Sequence, residues 1–123
     1  MSYNLKFDIE DKLLRVEIQG NRTDGDLVDN AKAAWRKVAS VCSENNLSRI
    51  LIISSAIGEY STFKVYKINS TLAECGVKPS WKIAFVNLDK DSYREIEFGE
   101  TVAVNRGFII KIFPTIDAAR TWL

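Results

Sequence analysis

Histidine is absent from this chain of 123 residues. It is the side chain that most often acts as a general base near neutral pH, activates serine and cysteine nucleophiles, and binds metal ions. An enzyme without it would have to use carboxylates, lysine, tyrosine or a cofactor. A glycine-rich phosphate-binding loop is also missing, because Gly58 has no second glycine close to it. We therefore expect a protein that is not an enzyme.

Cysteine is scarce. The only two, Cys42 and Cys75, fall within predicted helices, where cysteine usually behaves as a small buried apolar residue. Two cysteines without histidine cannot supply the ligands of a structural zinc site. Small secreted domains that are stabilised by disulfides contain more cysteines than this. We therefore expect neither a metal ion nor another cofactor.

The chain also lacks long apolar runs and an excess of charge of either sign. Its longest apolar stretches have the length of a strand, and none follows Met1, so neither a signal peptide nor a membrane span is predicted and the expected location is the cytoplasm. The net charge of +1 does not indicate a nucleic-acid partner. A hydrophobic content of 46%, without repeats or linkers, indicates a single domain of residues 1–123.

Five segments have the pattern of β-strands. Apolar residues alternate with polar ones in residues 3–9 and again in residues 14–18, with a short polar turn between them. This period of two is typical of half-buried strands, and the pair predicts a β-hairpin. Residues 50–53 and 83–86 are continuous apolar runs, as expected for strands that helices cover on both faces. Residues 108–113 form the last predicted strand.

The first and third helices have acidic or hydroxyl residues suited to their N-termini. Thr23 is suited to cap the first helix, with Asp26 three positions later in a capping-box arrangement. An apolar stripe at helical spacing then continues as far as Cys42. Asp89 or Asp91 is suited to cap the third helix.

Serine and glycine residues lie at the ends of the second helical segment and within the third. Ser61 is suited to cap the second helix, which is predicted to continue to Cys75, with Gly76 in the left-handed position after its end. Gly99 lies within the third helix, where it predicts either a close approach of that helix to the sheet or a break in it. Residues 116–123 form a short last helix.

The order β-β-α-β-α-β-α-β-α predicts an α/β fold. We expect a single-layer mixed sheet, mostly parallel, with helices packed on it and an N-terminal β-hairpin that adds an antiparallel strand. In open α/β sheets, ligands gather beyond the carboxyl ends of the strands, beside the N-termini of helices. The loop of residues 54–60 and the start of the following helix are therefore the predicted location of function.

With this order and its initial hairpin, the chain resembles the STAS domain family, and within it the SpoIIAA-like branch that is related to the lipid-binding CRAL-TRIO domains. The segments that carry the resemblance are Ala84-Phe85-Val86, Phe98-Gly99-Glu100, Asn105-Arg106-Gly107, Ile112-Phe113 and Asp117-Ala118-Ala119. The resemblance implies the STAS fold. It also implies a non-catalytic regulatory or interaction module, similar to the anti-sigma-factor antagonists, with a protein partner that docks near the loop after the third strand.

The resemblance further implies a phosphorylation site at the start of the helix that follows the third strand. Phosphoregulated STAS domains carry an Asp-Ser-Ser/Thr-Gly motif there, whose serine is phosphorylated by a partner kinase that is also the anti-sigma factor. The matching residues are Tyr60, Ser61, Thr62 and Phe63, so the hydroxyls are kept while tyrosine and phenylalanine replace the aspartate and the glycine. Ser61, Thr62 and Lys64 are the candidate phosphorylation or partner site. Alternatively, Ser61 is an ordinary helix cap.

A second function also fits the sequence: a carrier of a small apolar molecule or a lipid. Aromatic residues concentrate around the predicted site, and they would line an apolar pocket if the helices after the third and fourth strands were splayed apart. Lys64 or Lys67 would then meet an anionic head group. The candidate pocket residues are Tyr60, Phe63, Tyr66, Trp81, Tyr93 and Phe98. Packing of these rings into the core is the alternative, and the sequence does not indicate an oligomeric state.

Overall fold

The structure, a computed structural model, describes residues 3–22, 26–58 and 61–123. These residues form the strands β1 (Asn4–Glu10), β2 (Leu13–Gln19), β3 (Arg49–Ser54), β4 (Lys82–Asn87) and β5 (Ile109–Phe113). The α-helices are α1 (Leu27–Glu44), α2 (Thr62–Asn69), α3 (Tyr93–Asn105) and α4 (Ile116–Trp122), and a 3-10 turn, Lys90–Ser92, leads into α3. The predicted α/β class and the order β-β-α-β-α-β-α-β-α are confirmed.

The five strands form one sheet in the order β1-β2-β3-β4-β5. β1 and β2 are antiparallel, and every later pair is parallel, as predicted. The hairpin closes through two residues, Asp11 and Lys12, whose φ angles are +44° and +64°. Two successive positive φ angles are typical of the tight turn whose twist matches that of the strands.

Helices cover both faces of the sheet, but unequally. α1, α2 and α3 pack on one face, where Ile50 and Ile52 of β3 join the larger core. α4 packs on the opposite face, where Leu51 and Ile53 point. β3 is therefore buried on both sides, which explains why its sequence is a continuous apolar run.

The first helix begins later than predicted. Its N-cap is Asp26, whose carboxylate accepts a hydrogen bond from the backbone N–H of Asp29 at 3.0 Å. The assignment of Thr23 as the cap is wrong because Asp26 performs this role at the start of α1. Thr23 and Asp24 lie outside the described residues.

The second helix is shorter than predicted. It ends at Asn69 and does not continue to Cys75. The hydroxyls of Ser70 and Thr71 donate to the backbone carbonyl of Lys67 at 3.2 and 3.1 Å. Such side chains compete with the helical hydrogen-bond ladder and favour its end.

Gly76 closes a separate turn after α2. Its φ of +93° is the predicted left-handed conformation. The N–H of Val77 donates to the carbonyl of Leu72 at 3.1 Å, which is the bond expected after a left-handed glycine. The turn signal in the sequence was correct, although it ends a turn and not the helix itself.

Gly99 lies inside a continuous α3 and marks the contact between α3 and α2. A Cβ atom at this position would come within 2.5 Å of the Asn69 Nδ2 atom and 3.0 Å of the Val65 Cγ1 atom. The close approach at Gly99 is therefore made to α2, and the predictions of an approach to the sheet or of a break in the helix are both wrong.

The last helix is capped at its N-terminus and is held against the sheet near its C-terminus. Thr115 caps it by accepting a hydrogen bond from the N–H of Ala118 at 3.2 Å. Lys82 donates to the carbonyl oxygen of Trp122 at 2.7 Å and also lies over its ring. Ala119 is fully buried. Within the described part of the chain, none of the helices combines the length and the apolar character that crossing a membrane requires.

Candidate functional site

The loops beyond the carboxyl ends of β2, β3 and β4 come together at one end of the sheet, which we call the carboxyl rim (residues 20–22, 54–58 and 87–92). The parallel pairing of β2 with β3 continues into these loops. Asn21 pairs with Ile57, and the N–H of Arg22 donates to the carbonyl of Ile57 at 2.7 Å. The loop after β3 is thus anchored to the sheet before α2 begins.

Arg22 is the central side chain of the carboxyl rim, and only 5% of it is exposed. Its Nη1 atom lies 3.0 Å from the carbonyl oxygen of Gly58, 3.2 Å from Asp89 Oδ2 and 3.1 Å from Ser92 Oγ. Its Nη2 atom lies 3.4 Å from Asn87 Oδ1. One guanidinium group therefore ties the loop after β2 to the loops after β3 and β4, which the planar, five-donor geometry of arginine allows.

The residues around Arg22 also bind one another. Asn87 donates from Nδ2 to the backbone carbonyl of Asp89 at 2.8 Å, and the Ser92 hydroxyl donates to Asp89 Oδ2 at 3.0 Å. Gly58 has a φ of +109°, and a Cβ atom there would lie 3.2 Å from the backbone nitrogen of Arg22. We call this set the Arg22 network. Because its charge and amide groups are paired, it holds the rim in one arrangement.

A small cavity lies beneath the network, between the sheet and α1. Its volume is about 50 Å³, and its lining includes Arg22, Tyr3, Trp35, Ile52 and Phe85. Burial raises the pKa of the Tyr3 hydroxyl, although the nearby Arg22 charge acts to lower it. A space of this size accepts a few water molecules at most, since one water needs roughly 10–15 Å³. It is too small for the lipid or apolar cargo of a carrier.

An open cleft of about 800 Å³ lies on the outer side of the carboxyl rim, and we call it the acidic cleft. Its lining residues are Ile57, Gly58, Ser61, Asp89, Asp91, Ser92 and Glu95. Asp89 is paired with Arg22, whereas Asp91 and Glu95 make no ion pair with any described residue. Among residues 3–22, 26–58 and 61–123, no three carboxylates or thiols are placed so that they could hold a metal ion.

A second open cleft, of about 620 Å³, lies between α1 and α2, and we call it the lysine groove. Its lining residues are Asp26, Leu27, Val28, Asp29, Lys32, Phe63, Lys64, Lys67, Ser70 and Thr71. The Lys67 ammonium lies 4.8 Å from the centre of the Phe63 ring. The two acidic residues of the groove belong to the cap and first turn of α1, where the helix dipole offsets their charge.

The predicted site residues Ser61, Thr62 and Lys64 lie between these two clefts. Ser61 and Thr62 are exposed, and Ser61 Oγ accepts a hydrogen bond from the backbone N–H of Lys64 at 3.3 Å. Ser61 is therefore the N-cap of α2, as predicted. It lines the acidic cleft, whereas Lys64 lines the lysine groove. Phosphorylation of either hydroxyl stays a prediction.

Three of the predicted pocket residues lie on the outer surface of α2 and α3. Phe63 is 65% exposed and Tyr66 is 44% exposed, and Phe98 is exposed on α3. The Tyr66 hydroxyl accepts a hydrogen bond from Arg106 at 3.1 Å. These rings face solvent and not the space between two splayed helices.

The other predicted pocket residues lie elsewhere. Trp81 is buried in the larger core just before β4, at the end of the sheet opposite to the carboxyl rim. Tyr93 is half-buried, and its hydroxyl donates to the carbonyl of Ile112 at 3.3 Å. Tyr60 lies outside the described residues. The structure thus separates Trp81 from the exposed rings of α2.

The Arg22 network had no counterpart in the sequence analysis. Arg22 lies 36 to 70 residues away from its partners in the chain, so no local pattern connects it to them. One usable signal was Asn87, an amide directly after a continuous apolar strand, because a polar side chain buried there needs partners.

Comparison of the chain with models of protein families and with curated proteins finds no match. We therefore infer the function from the geometry of the carboxyl rim and the two clefts, since a fold by itself does not determine a function.

Proposed function

We propose that this chain is a non-catalytic interaction module of the STAS type, which binds a protein partner through the first turns of α2 and the loop after β3. The observation that carries the proposal is the exposure of Phe63. Ile57 (55% exposed) and Tyr66 lie close to it in the chain. Aromatic side chains that anchor in a pocket of the partner supply much of the binding energy in protein interfaces.

The Arg22 network supports this proposal because it makes the docking surface rigid. Arg22 binds the carbonyl of Gly58, which lies directly after Ile57 in the loop. A surface that is already in its bound arrangement loses less conformational entropy when a partner binds. Arg22 is buried, and its guanidinium group is held by the carbonyl of Gly58 and by Asp89, so we assign the network a positioning role.

The charges on the two sides of α2 support selectivity for one orientation of the partner. The acidic cleft carries Asp91 and Glu95 on one side, and the lysine groove carries Lys32 and Lys64 on the other. A partner that presents a basic segment to the acidic cleft and an acidic segment to the lysine groove is attracted in one orientation and repelled in the reverse one.

Phosphorylation of Ser61 fits this scheme as a switch that strengthens the binding of a basic segment of the partner. The hydroxyl is exposed and faces the acidic cleft. A phosphate would add nearly two negative charges beside Asp91 and Glu95. The added charge would increase the attraction between the acidic cleft and the basic segment of the partner.

A carrier function has less support. α2 and α3 are in close contact at Gly99, and the described rings do not surround a shared apolar space. The cavity beside Arg22 is too small for a lipid chain or a similar cargo.

The test is a quantitative capture experiment in lysate of the native host. Wild-type protein and the variants Phe63→Ser and Ile109→Thr are immobilised at equal density, and the bound proteins are measured by mass spectrometry. Ile109 is the matched control because it is an exposed apolar residue on β5, outside the rim. We expect a protein that binds the wild type and Ile109→Thr but is reduced at least tenfold with Phe63→Ser. Equal capture by all three would contradict the proposal.

A further inference from the structure

β1 (Asn4–Glu10) forms an open edge of the sheet. The two-residue turn places Glu10 and Leu13 in a hydrogen-bonded pair, and such pairs alternate along an antiparallel ladder. The backbone N–H and C=O groups of Leu5, Phe7 and Ile9 therefore point away from β2. An edge whose outward groups make no backbone hydrogen bond with the described residues is a template for a further strand.

The opposite edge of the sheet is better protected. On β5, the outward N–H of Ile112 donates to Glu100 Oε1 at 2.7 Å, and its carbonyl accepts a hydrogen bond from the Tyr93 hydroxyl at 3.3 Å. Both groups are thus occupied by side chains of α3. On β1, the N–H of Ile9 donates to Asp8 Oδ1 at 3.0 Å, and this is the one such contact that residues 3–22, 26–58 and 61–123 make with its outward groups. A further strand can therefore pair more readily with β1 than with β5.

We propose that β1 pairs with β1 of a second copy of this chain, antiparallel and around a two-fold axis beside Phe7. The two five-stranded sheets then form one sheet of ten strands. In this register Phe7 is opposite the partner's Phe7, Leu5 is opposite the partner's Ile9, and Lys6 is opposite the partner's Asp8. Residues whose N–H and C=O groups point outward meet each other, so the hydrogen bonds of the new pair can form.

Charge complementarity makes a second copy the fitting occupant. The two-fold axis creates the pair of Lys6 with the partner's Asp8 twice. Within each copy, Lys6 is already opposite Glu17 and Asp8 is opposite Arg15. Four adjacent strands would therefore carry charges of alternating sign, and opposite charges on neighbouring strands stabilise a sheet.

The alternative registers are disfavoured for the same reason. A shift by two residues in one direction puts Lys6 opposite the partner's Lys6, and a shift in the other direction puts Asp8 opposite the partner's Asp8. Directly opposed like charges are destabilising. The Phe7-centred register also covers Ile9, which is 49% exposed in the single chain. A symmetric pair of this kind is the commonest form of homo-oligomer.

Disulfide trapping tests the register. The positions of Lys6 and the partner's Asp8 form a pair without backbone hydrogen bonds, whose Cα atoms lie about 4.5 Å apart, within the range that a disulfide spans. We expect a mixture of Lys6→Cys and Asp8→Cys proteins to give a covalent heterodimer on mild oxidation. A mixture of Asn4→Cys and Asp8→Cys is the control and should give at least tenfold less. The native Cys42 and Cys75 are buried and do not compete. Equal trapping in both mixtures would refute the register.

Sedimentation velocity over a range of concentrations tests the pairing itself in the wild-type protein. We expect a monomer–dimer equilibrium. Lys6→Glu should weaken it about tenfold or more, because it creates two like-charge pairs in each dimer. The exchanged variant Lys6→Asp/Asp8→Lys should recover the dimer. Circular dichroism shows whether each variant is folded, and Ile9→Lys serves as a second disruptive variant. A wild-type protein that stays monomeric at all concentrations overturns the proposal, and so does an exchanged variant that is folded but monomeric.

Discussion

The two ends of the parallel sheet are built from different kinds of side chain. At the end where β3, β4 and β5 begin, the buried residues Leu47, Trp81 and Phe108 precede the strands, and we call this end the amino rim. At the carboxyl rim, the buried positions include Arg22 and Asn87. One end is closed by apolar packing and the other by a hydrogen-bonded network around a cation.

The two rims therefore have different roles: the amino rim stabilises the fold, and the carboxyl rim positions the loops. Apolar burial is favourable and not directional, so the amino rim stabilises the fold without specifying the course of its loops. A buried ion pair adds little net stability, because removing two charges from water costs about as much as their attraction returns. The Arg22 network is directional, however, and it fixes the loops that precede α2 and α3. The rim that presents the candidate site is thus the one whose geometry is specified.

The largest effect is expected at the amino rim, from Trp81→Ala. Removing this buried ring should lower the free energy of unfolding by about 4 kcal/mol, through lost burial and the cavity left behind. Urea denaturation followed by circular dichroism measures the change. Trp81→Phe should cost clearly less because it keeps most of the apolar contact. If the two variants were equally stable, apolar packing would not be what closes this rim.

At the carboxyl rim, Arg22→Met should lower the free energy of unfolding by about 3 kcal/mol, because Asp89 would stay largely buried without its cation. The double variant Arg22→Met/Asp89→Asn removes the unpaired charge and keeps a side chain able to cap the 3-10 turn. We expect it to recover a good part of the loss in the same denaturation assay. A double variant as unstable as the sum of the single changes would show that the charge itself is not the cause.

High pH should lower the free energy of unfolding through the buried thiol of Cys42. Burial raises the pKa of this thiol from 9.0 to about 11, although Lys78 acts to lower it. The folded state therefore binds the proton of this thiol more tightly than the unfolded state does. The contribution of the protonated thiol to the free energy of unfolding is complete below pH 9 and is lost as the pH rises from about 9 to 11. The loss amounts to about 3 kcal/mol at most. Denaturation at a series of pH values, with Cys42→Ala as the control, should show a smaller decline for the variant.

The smallest effect is expected at the exposed cap of α2. Ser61→Ala removes the acceptor for the N–H of Lys64 and should lower the free energy of unfolding by about 1 kcal/mol. Ser61→Asp keeps an acceptor at this position and should be close to wild type in thermal denaturation. If Ser61→Ala were neutral and still reduced the capture of a partner, Ser61 would be a contact residue more than a cap.

The sequence predicted the strands well because their burial is recorded locally. Residues 50–53 are continuously apolar, and β3 is covered on both faces. Ser61 was identified as a cap because a hydroxyl at the start of an apolar periodic segment has a local mechanism. The start of α1 was less clear, since both Thr23 and Asp26 are good caps in one short stretch, and local preference does not choose between them.

Features that depend on distant residues were not predictable in this way. Arg22 and Ser92 are 70 residues apart, and only the folded chain brings them together. The sequence also did not show which aromatic rings are buried and which are exposed, because helical spacing does not reveal which face of α2 is covered. Phe63 and Val65 are two positions apart, yet the first is exposed and the second is buried.

The spatial order of the strands is also their order along the chain. No strand has to insert between two strands that are already paired, so the sheet can grow by successive addition, from the hairpin outward to β5. Each addition closes one short loop or one crossover, which keeps the entropy lost at every step small. A nascent chain can therefore extend its sheet in the direction of synthesis, with each new strand joining the edge that the preceding one has just completed.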